Sequence, residues 1–263
     1  MTLDIYQIDA FADQLFQGNP AAVCPLKHWL SDDLLQKIAT ENNLSETAFF
    51  VPEGKHFNLR WFTPALEVDL CGHATLASAH VLFQHLNYPD AEITFKTRSG
   101  PLVVSRKGDQ YVMNFPTDQI EKVVCPPLLA EALKVEPEEV WQGREDFLVI
   151  IDSEARVAQL KPDFRALLEL GGRGVIVSAP GDQVDFVSRG FFPCAGIDED
   201  PVTGSAHTTL SPYWAKRLGK NQLHGRQISA RCGDVFCELQ DSRVNLRGRA
   251  VSYLQGKLFL SVQ

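Results

Sequence analysis

The chain has 263 residues, of which 44% are hydrophobic and 22% are charged, and its formal net charge is −8. This is the balance of a folded globular protein, and the length allows one large domain or two of ordinary size. Basic residues form no run, which argues against nucleic-acid binding. No apolar stretch approaches the roughly 20 residues of a membrane span, and the N-terminus lacks a signal-peptide pattern. We therefore expect a cytoplasmic protein that binds no membrane.

The cysteines give no sign of a metal site or a disulfide framework. They are widely spread, and the only close pair has a spacing that is not a zinc signature. We expect reduced, mostly buried thiols and no bound metal. The six residues are Cys24, Cys71, Cys125, Cys194, Cys232 and Cys237.

The first half of the chain predicts strands and two helices. TLDIYQIDAFA, near the start, alternates apolar and polar residues as a half-buried strand does. Ser31 is a predicted N-cap, and the helix that follows should end near Asn42 and Asn43. SETAFFV and FNLRWFT predict strands. GHATLASAHVLFQHL predicts a helix whose small residues indicate close enclosure by a sheet.

The second half repeats the order of strand, loop and glycine-led helix. Pro212 lies inside this helical pattern, so we expect it to kink the helix or to mark its start. QISARCGDVFCELQ and RVNLRGRAVSYLQGKLFLSVQ alternate again and predict strands. Residues 117–127 are the expected connection between the halves.

An internal repeat organises the chain. RWFTPALEVDLCGHATLASAHVL, from Arg60, matches RGFFPCAGIDEDPVTGSAHTTLSPYW, from Arg189, in its arginine, aromatic, proline, acidic and glycine positions. TRSGPLVVS then matches SARCGDVFCEL, and YVMNF matches SRVNL, in the same order. We therefore predict two pseudo-symmetric domains, residues 1–117 and 118–252, with the C-terminal strand 253–263 as a candidate to complete the first.

Three residues stand in contexts that suit proton transfer. Glu46 lies where a helix has ended and an apolar strand begins, and burial of a carboxylate raises its pKa towards neutrality. The local alternative is a solvated strand-edge glutamate. Asp200 precedes Pro201 in the acidic loop IDEDPVTGSAH, whose local alternative is an ordinary solvated loop.

His73 should lie in the first turn of a helix after Gly72. The exposed N–H groups there favour a carboxylate or a developing enolate, and the helix dipole favours a neutral imidazole. A capping or core histidine is the alternative. Gly204 and Ser205 occupy the matching place in the second half, so the repeat predicts two anion-binding helix starts across a cleft between the domains.

These residues also carry a family resemblance. SETAFF, FTPALEVDLCGHAT and EDPVTGSA, in this order, resemble the three sequence blocks of the PhzF-like (phenazine biosynthesis-like) isomerases, and GNPAAV near the start extends the likeness over essentially the whole chain. The resemblance implies the diaminopimelate-epimerase-like fold: an α/β (α+β) protein of two pseudo-symmetric domains, each a barrel-like, mostly antiparallel sheet around a central helix.

The resemblance also implies the activity. It indicates a cofactor-independent, metal-free isomerase, often a homodimer, that transfers a proton on a small carboxylate-bearing substrate. Its catalytic residues fall on Glu46, His73 and Asp200. Substrate-binding residues are expected at Gly72, Gly204, Ser205, Asn19, Ser45 and Thr63, with Phe192 as a further lining candidate. The physiological substrate is not specified by these blocks.

Two alternatives remain open. An amino-acid racemase or epimerase on the same fold would use two cysteines, yet only Cys71 precedes its glycine, and no cysteine lies among the four residues before Gly204. Cys71 is therefore interpreted as a small buried residue or a bystander, and the chemistry is assigned to Glu46. A non-catalytic protein that binds a small ligand or a partner is the second alternative.

Overall fold

The chain forms two compact units in the computed structural model, which describes residues 1–260. The first unit comprises Met1–Asn114 and the chain from Arg247 onward, and the second comprises Phe115–Leu246. The last three residues of the predicted C-terminal strand lie outside the described residues. No helix within residues 1–260 is long and apolar enough to cross a membrane.

Within residues 1–260, the first unit contains nine strands and two helices. The strands are β1 (Thr2–Ala10), β2 (Asn19–Pro25), β3 (Glu46–Glu53), β4 (His56–Phe62), β5 (Glu67–Val68), β6 (Glu92–Thr97), β7 (Gly100–Lys107), β8 (Gln110–Pro116), which runs into the second unit, and the C-terminal β18 (Ala250–Phe259). The helices are α1 (Asp32–Asn42) and α2 (Gly72–His80), and α2 continues into a π-helical turn, Val81–His85.

The second unit contains the other elements. Its strands are β9 (Glu121–Val123), β10 (Glu139–Gln142), β11 (Asp146–Ile150), β12 (Gly174–Pro180), β13 (Phe186–Phe192), β14 (Ile197–Asp200), β15 (Gln222–Gln227), β16 (Gly233–Gln240) and β17 (Arg243–Gly248), which runs into the first unit. Its helices are α3 (Pro127–Leu133), α4 (Glu154–Gln159), α5 (Phe164–Glu169) and α6 (Ala206–Leu218), with a 3-10 turn at Pro193–Ala195.

The strand pairings follow one order in both units. In the first, β2 pairs with β3 in parallel, β3 with β4 antiparallel, and β4 with both β5 (antiparallel) and β6 (parallel). In the second, β11, β12, β13, β14 and β15 pair in the same sequence of directions. The internal repeat therefore corresponds to a repeated topology, and each unit is a mostly antiparallel sheet with one principal buried helix.

A matched ion pair marks the equivalent strands. Arg60 on β4 donates through Nε and Nη2 to the two carboxylate oxygens of Glu67, at 2.6 and 2.7 Å. Arg189 on β13 does the same to Glu199, at 2.7 and 2.8 Å. Bidentate geometry of this kind fixes both partners, so each hairpin is tied to its following strand in the same way.

Helix α1 forms as the sequence predicts. The Ser31 hydroxyl accepts a hydrogen bond from the Leu34 N–H, and Asn43 ends the helix in a left-handed conformation with φ of 48°. Asn tolerates this conformation better than most residues, which explains why the helix stops at the predicted Asn pair. Leu35, Ile38 and Ala39 are its buried residues.

Helix α2 is buried on all sides, from His73 to His80. It packs on β1, β2 and β3 as well as on β7 and β18, which confirms that its small residues allow a sheet to approach closely. The single helix predicted over this segment is interrupted: from Val81 to His85 the backbone adopts a π-helical turn.

Helix α6 begins at Ala206 and contains Pro212 in its interior. The expectation that Pro212 marks the start of the helix is therefore wrong. Proline has no N–H to donate to the carbonyl four residues earlier. That carbonyl, on Thr208, instead accepts a hydrogen bond of 3.1 Å from the Asp118 N–H, so the helix continues past the proline without leaving this carbonyl unpartnered.

Candidate active site

The starts of two strands and of one helix lie close together in the first unit. Asn19 is the first residue of β2 and Glu46 the first of β3, and these strands pair in parallel with Ala21 opposite Glu46. Helix α2, which packs on both strands, carries His73 in its first turn, and Cys71 is its N-cap residue. The fold thus brings Glu46, His73, Asn19 and Gly72 into one region of this unit.

Glu46 and His73 form a buried pair. The distance from Glu46 Oε2 to His73 Nε2 is 3.1 Å, and the two side chains are only 12% and 5% exposed. The angles between the two groups do not meet those of a hydrogen bond, and neither atom has a hydrogen-bond partner within the described part of the chain. Burial strengthens the electrostatic attraction between the two groups because little water screens it.

The other ring nitrogen of His73, Nδ1, contacts an amide and a thiol. Asn19 Nδ2 lies 3.2 Å from His73 Nδ1, and Cys71 Sγ lies 3.6 Å from the same nitrogen. Contacts at both ring nitrogens fix the orientation of the imidazole. Since a protonated ring donates from both nitrogens, Asn19 would turn its carbonyl oxygen towards that form.

The surroundings of His73 favour its charged form. Burial opposes protonation of the ring, but Cys71 and Glu46 outweigh it, and the pKa of His73 lies well above its usual value. Burial, and then the charge of Glu46, raise the pKa of Cys71 to about 11. The thiol is therefore protonated at neutral pH, and we attribute the raised pKa of His73 to the Glu46 carboxylate. The direction of this pKa shift runs against the neutral imidazole that the helix dipole favours.

In the second unit, Asp200 is held from two sides. The Thr203 hydroxyl donates to Asp200 Oδ2 at 2.6 Å. Gln227 accepts from the Thr203 N–H at 2.8 Å and donates to the Asp200 carbonyl at 2.7 Å. All three residues are buried, so the loop of Asp200 is fixed by a hydrogen-bonded network and is not the solvated acidic loop of the local alternative.

Ser205 precedes α6 and contacts a charged pair. Arg173 donates from Nη1 to Ser205 Oγ at 3.1 Å and from Nε to Asp146 Oδ1 at 2.9 Å. Because Ser205 Oγ accepts this bond, its own O–H can donate to a ligand. The Arg173 guanidinium also lies 5.2 Å from the centre of the Phe192 ring.

The remaining predicted lining residues have local roles. The Thr63 hydroxyl accepts from the Ala65 and Leu66 N–H groups at 3.2 and 3.1 Å, which closes a turn. Ser45 is half-buried immediately before Glu46. Gly204 accepts through its carbonyl from the His207 N–H at 3.1 Å. Of these, Gly204 precedes Ser205 in the chain and Ser45 precedes Glu46, whereas Thr63 is engaged in its turn.

Four residues of these clusters escape the sequence analysis: Asp146, Arg173, Thr203 and Gln227. The strand register shows which residue of the first unit Arg173 matches. Phe49 opposes Arg60, and Val177 opposes Arg189, so alignment on the two arginines matches Glu46 to Gly174. Arg173, which precedes Gly174, then matches Ser45. A Cβ at Gly174 would lie 2.3 Å from the Phe192 ring, which excludes a carboxylate there. Only the first unit can carry an acid at this position.

Comparison with known proteins places the chain in a family. Residues 8–256 match the family model of phenazine biosynthesis-like proteins, PhzC–PhzF. The chain belongs to this family. It is 53% identical to an uncharacterized isomerase of Pseudomonas aeruginosa, over 99% of this chain and 100% of that protein.

Solved structures agree with this assignment. The crystal structure of a PhzF family phenazine biosynthesis protein from Enterococcus faecalis superimposes with a TM-score of 0.96 at 48% identity, covering 99% of this chain and 100% of that one. A hydroxyproline epimerase from Agrobacterium vitis has a TM-score of 0.64 at 9% identity, over 98% and 92% of the two chains. The second likeness concerns the fold alone, and it confirms the epimerase-like architecture.

Proposed function

We propose that this protein is a cofactor-independent isomerase that moves a proton on a small carboxylate-bearing substrate, with Glu46 as the general acid/base. The buried contact between Glu46 and His73 carries this proposal. Relatives named as isomerases support the reaction class. A carboxylate and an imidazolium held 3.1 Å apart offer a base and an acid that need little rearrangement for proton transfer.

The proposed reaction starts with Glu46 as a carboxylate. It removes a proton from a carbon that a neighbouring carbonyl or double bond activates, and the electron pair moves towards that group. The first N–H groups of α2, at Gly72 and His73, have no partner within the helix and suit the developing negative charge. Glu46 or protonated His73 then returns a proton to a different carbon, which completes the isomerisation.

The second unit carries candidate binding groups of its own. Ser205, with its hydroxyl oxygen engaged by Arg173, presents a donor that suits a carboxylate, and Gly204 precedes it at the start of α6. Asp200 accepts a hydrogen bond from Thr203 and suits an amino or hydroxyl group of a small ligand. Asn19 orients the His73 ring.

Solvent exchange tests the proposal. Wild-type protein is incubated in D2O with a panel of small unsaturated, keto and amino acids, and deuterium in each acid is measured by mass spectrometry. Glu46→Gln should reduce the exchange rate of any active acid by at least about 100-fold, the usual contribution of a general acid or base. Glu53→Gln is the matched control, because Glu53 ends the same strand and its side chain is 53% exposed. Undiminished exchange in Glu46→Gln would refute the assignment.

A racemase is the second candidate, because Cys71 Sγ lies 3.6 Å from His73 Nδ1. A thiol and a carboxylate on one histidine could exchange a proton at a single carbon. The second unit weakens this candidate, since Thr203 precedes Gly204 where Cys71 precedes Gly72. Retention of the configuration at the exchanging carbon would favour the isomerase, and inversion at that carbon would favour the racemase.

A further inference from the structure

The acid/base cluster of the first unit is also a set of metal-binding side chains. Glu46, Cys71 and His73 each offer one ligand atom, and these atoms lie within 4.8 Å of one another. Carboxylate oxygen, thiolate sulfur and imidazole nitrogen are the three donors that zinc takes in proteins. Three protein ligands with one open position is the arrangement of zinc sites that can also hold water or a small anion.

The spacing between sulfur and nitrogen already suits one ion. Zinc–sulfur and zinc–nitrogen bonds of about 2.3 and 2.05 Å at a tetrahedral angle separate the two ligand atoms by about 3.6 Å. Cys71 Sγ and His73 Nδ1 are 3.6 Å apart. To complete the set, the Glu46 carboxylate must leave His73 Nε2, which it contacts at 3.1 Å, and turn towards the Nδ1 side of the ring. Asn19, now 3.2 Å from Nδ1, must move away from that nitrogen.

An unsatisfied polar atom provides a second, independent observation. Glu46 Oε2 is buried and lacks a hydrogen-bond partner within the described part of the chain. A buried polar atom without a partner destabilises the fold, and a cation bound by the Glu46 carboxylate gives this atom a partner. The α2 backbone holds Cys71 and His73 two residues apart at a helix start, which limits the entropy lost on binding.

We propose that Glu46, Cys71 and His73 form a binding site for one zinc-type ion. Cys71 binds as the thiolate and His73 as the neutral imidazole, and each releases its proton to the solvent. Glu46 binds through one oxygen, and the fourth position stays open. The two negative charges balance the ion. This consequence rests on the proposed function: if Glu46 is the general base, the carboxylate oxygen that binds the ion cannot also accept a proton. Zinc is then a reversible inhibitor of proton transfer.

Cobalt(II) is the probe for this site, because a cobalt–thiolate bond gives a charge-transfer absorption in the near ultraviolet. The full-length protein is titrated with Co²⁺ alone, and Zn²⁺ is then added to displace it. We expect one equivalent of Co²⁺ per chain, a thiolate band that disappears in Cys71→Ser, and displacement by Zn²⁺, which binds most protein sites more tightly than cobalt.

Two further variants make the test independent of any effect of Cys71 on folding. Glu46→Gln keeps the side-chain shape and should weaken Co²⁺ binding by about tenfold or more, since it removes one ligand. Cys232→Ser is the control, because Cys232 is a half-buried thiol that interacts electrostatically with Asp234 and could itself bind cobalt. The proposal is overturned if the band persists in Cys71→Ser, if it is lost in Cys232→Ser, or if Glu46→Gln binds Co²⁺ as wild type does. These outcomes are separate from deuterium exchange, which tests the proposed function.

Discussion

Cys71 is the residue whose interpretation changes most. It contacts His73 directly, yet it is 6% exposed, and its pKa is raised to about 11 by burial and by Glu46. Since the thiolate is the reactive form of cysteine, we predict that iodoacetamide modifies native Cys71 much more slowly than the exposed Cys194. Peptide mass spectrometry of time points at neutral pH measures both rates. Rapid modification of Cys71 with loss of activity, blocked by substrate, would support a thiol mechanism.

His80 makes the fold sensitive to acid. It is buried between Tyr111 Oη and Ser252 Oγ, each 2.9 Å from one ring nitrogen, and His85 faces the same hydroxyl of Ser252 at 2.8 Å. Burial, and then the charge of His85, lower the pKa of His80 to about 4. The unfolded chain, with an ordinary pKa near 6.5, binds the proton more readily, so acidification through this range destabilises the folded state.

His80 should account for a measurable part of the loss of stability in acid. Between about pH 7.5 and about pH 5, the fall in the free energy of unfolding should be about 2 kcal/mol smaller in His80→Gln than in wild type. Urea unfolding at the two pH values measures it. His28→Gln, at an exposed histidine, should fall as wild type does. An unchanged pH dependence in His80→Gln would contradict the buried network.

Candidate site residues could be identified where a sequence block marks them. Glu46, His73 and Asp200 follow from the three blocks and from the repeat. The raised pKa of His73 was not predictable, because it depends on the distance to Glu46, which lies 27 positions away in the chain and comes close only through the packing of α2 on β3.

At the scale of elements, strand β15 supports the Asp200 loop through its last residue. Gln227 makes hydrogen bonds to the Thr203 N–H, the Thr203 hydroxyl and the Asp200 carbonyl. Leucine at this position cannot replace them, so we predict that Gln227→Leu lowers the free energy of unfolding by about 2–4 kcal/mol. Urea denaturation measures the change.

The same strand offers a matched control for this prediction. Gln222 begins β15 and is exposed, so Gln222→Leu should alter the free energy of unfolding by less than about 0.5 kcal/mol. If Gln227→Leu were no more destabilising than Gln222→Leu, the network would not be what holds the Asp200 loop.

Sequence periodicity predicted the elements better than it predicted their interruptions. The Ser31 cap, the Asn43 end of α1 and strands β3 and β4 are confirmed. The π-helical turn at Val81–His85 was missed, because one additional residue in a turn leaves the apolar pattern almost unchanged. Arg173 was missed because the hairpin between β12 and β13 is one residue longer than that between β3 and β4, which obscures its match to Ser45.

At the scale of the whole molecule, the two halves of the repeat carry different functional groups at matching positions. The same strand start carries Glu46 in one unit and Gly174, next to Arg173, in the other, and the same helix start carries His73 in one and Ser205 in the other. A carboxylate–imidazole pair and a guanidinium–hydroxyl pair therefore occupy equivalent positions. The order of the repeat was visible in the sequence, whereas the division of roles required the strand register.

The first unit also depends on the C-terminus. Strand β18 pairs with β1 along its length, from Thr2 opposite Phe259 to Ala10 opposite Ala250. We predict that truncation after Arg249 removes hydrogen-exchange protection from the β1 amides while the amides of β12 and β13 stay protected. Hydrogen–deuterium exchange of the full chain and the truncated chain measures this. Equal protection of β1 in both would show that the strand pairing is dispensable.

A crystal structure with a bound substrate, chosen from the acids that exchange deuterium, tests the central claim most directly. The account predicts that the carbon that exchanges its proton lies within about 3.5 Å of the Glu46 carboxylate, with the developing charge directed at the N–H groups of Gly72 and His73. A ligand whose exchanging carbon has no contact with Glu46 would contradict the account.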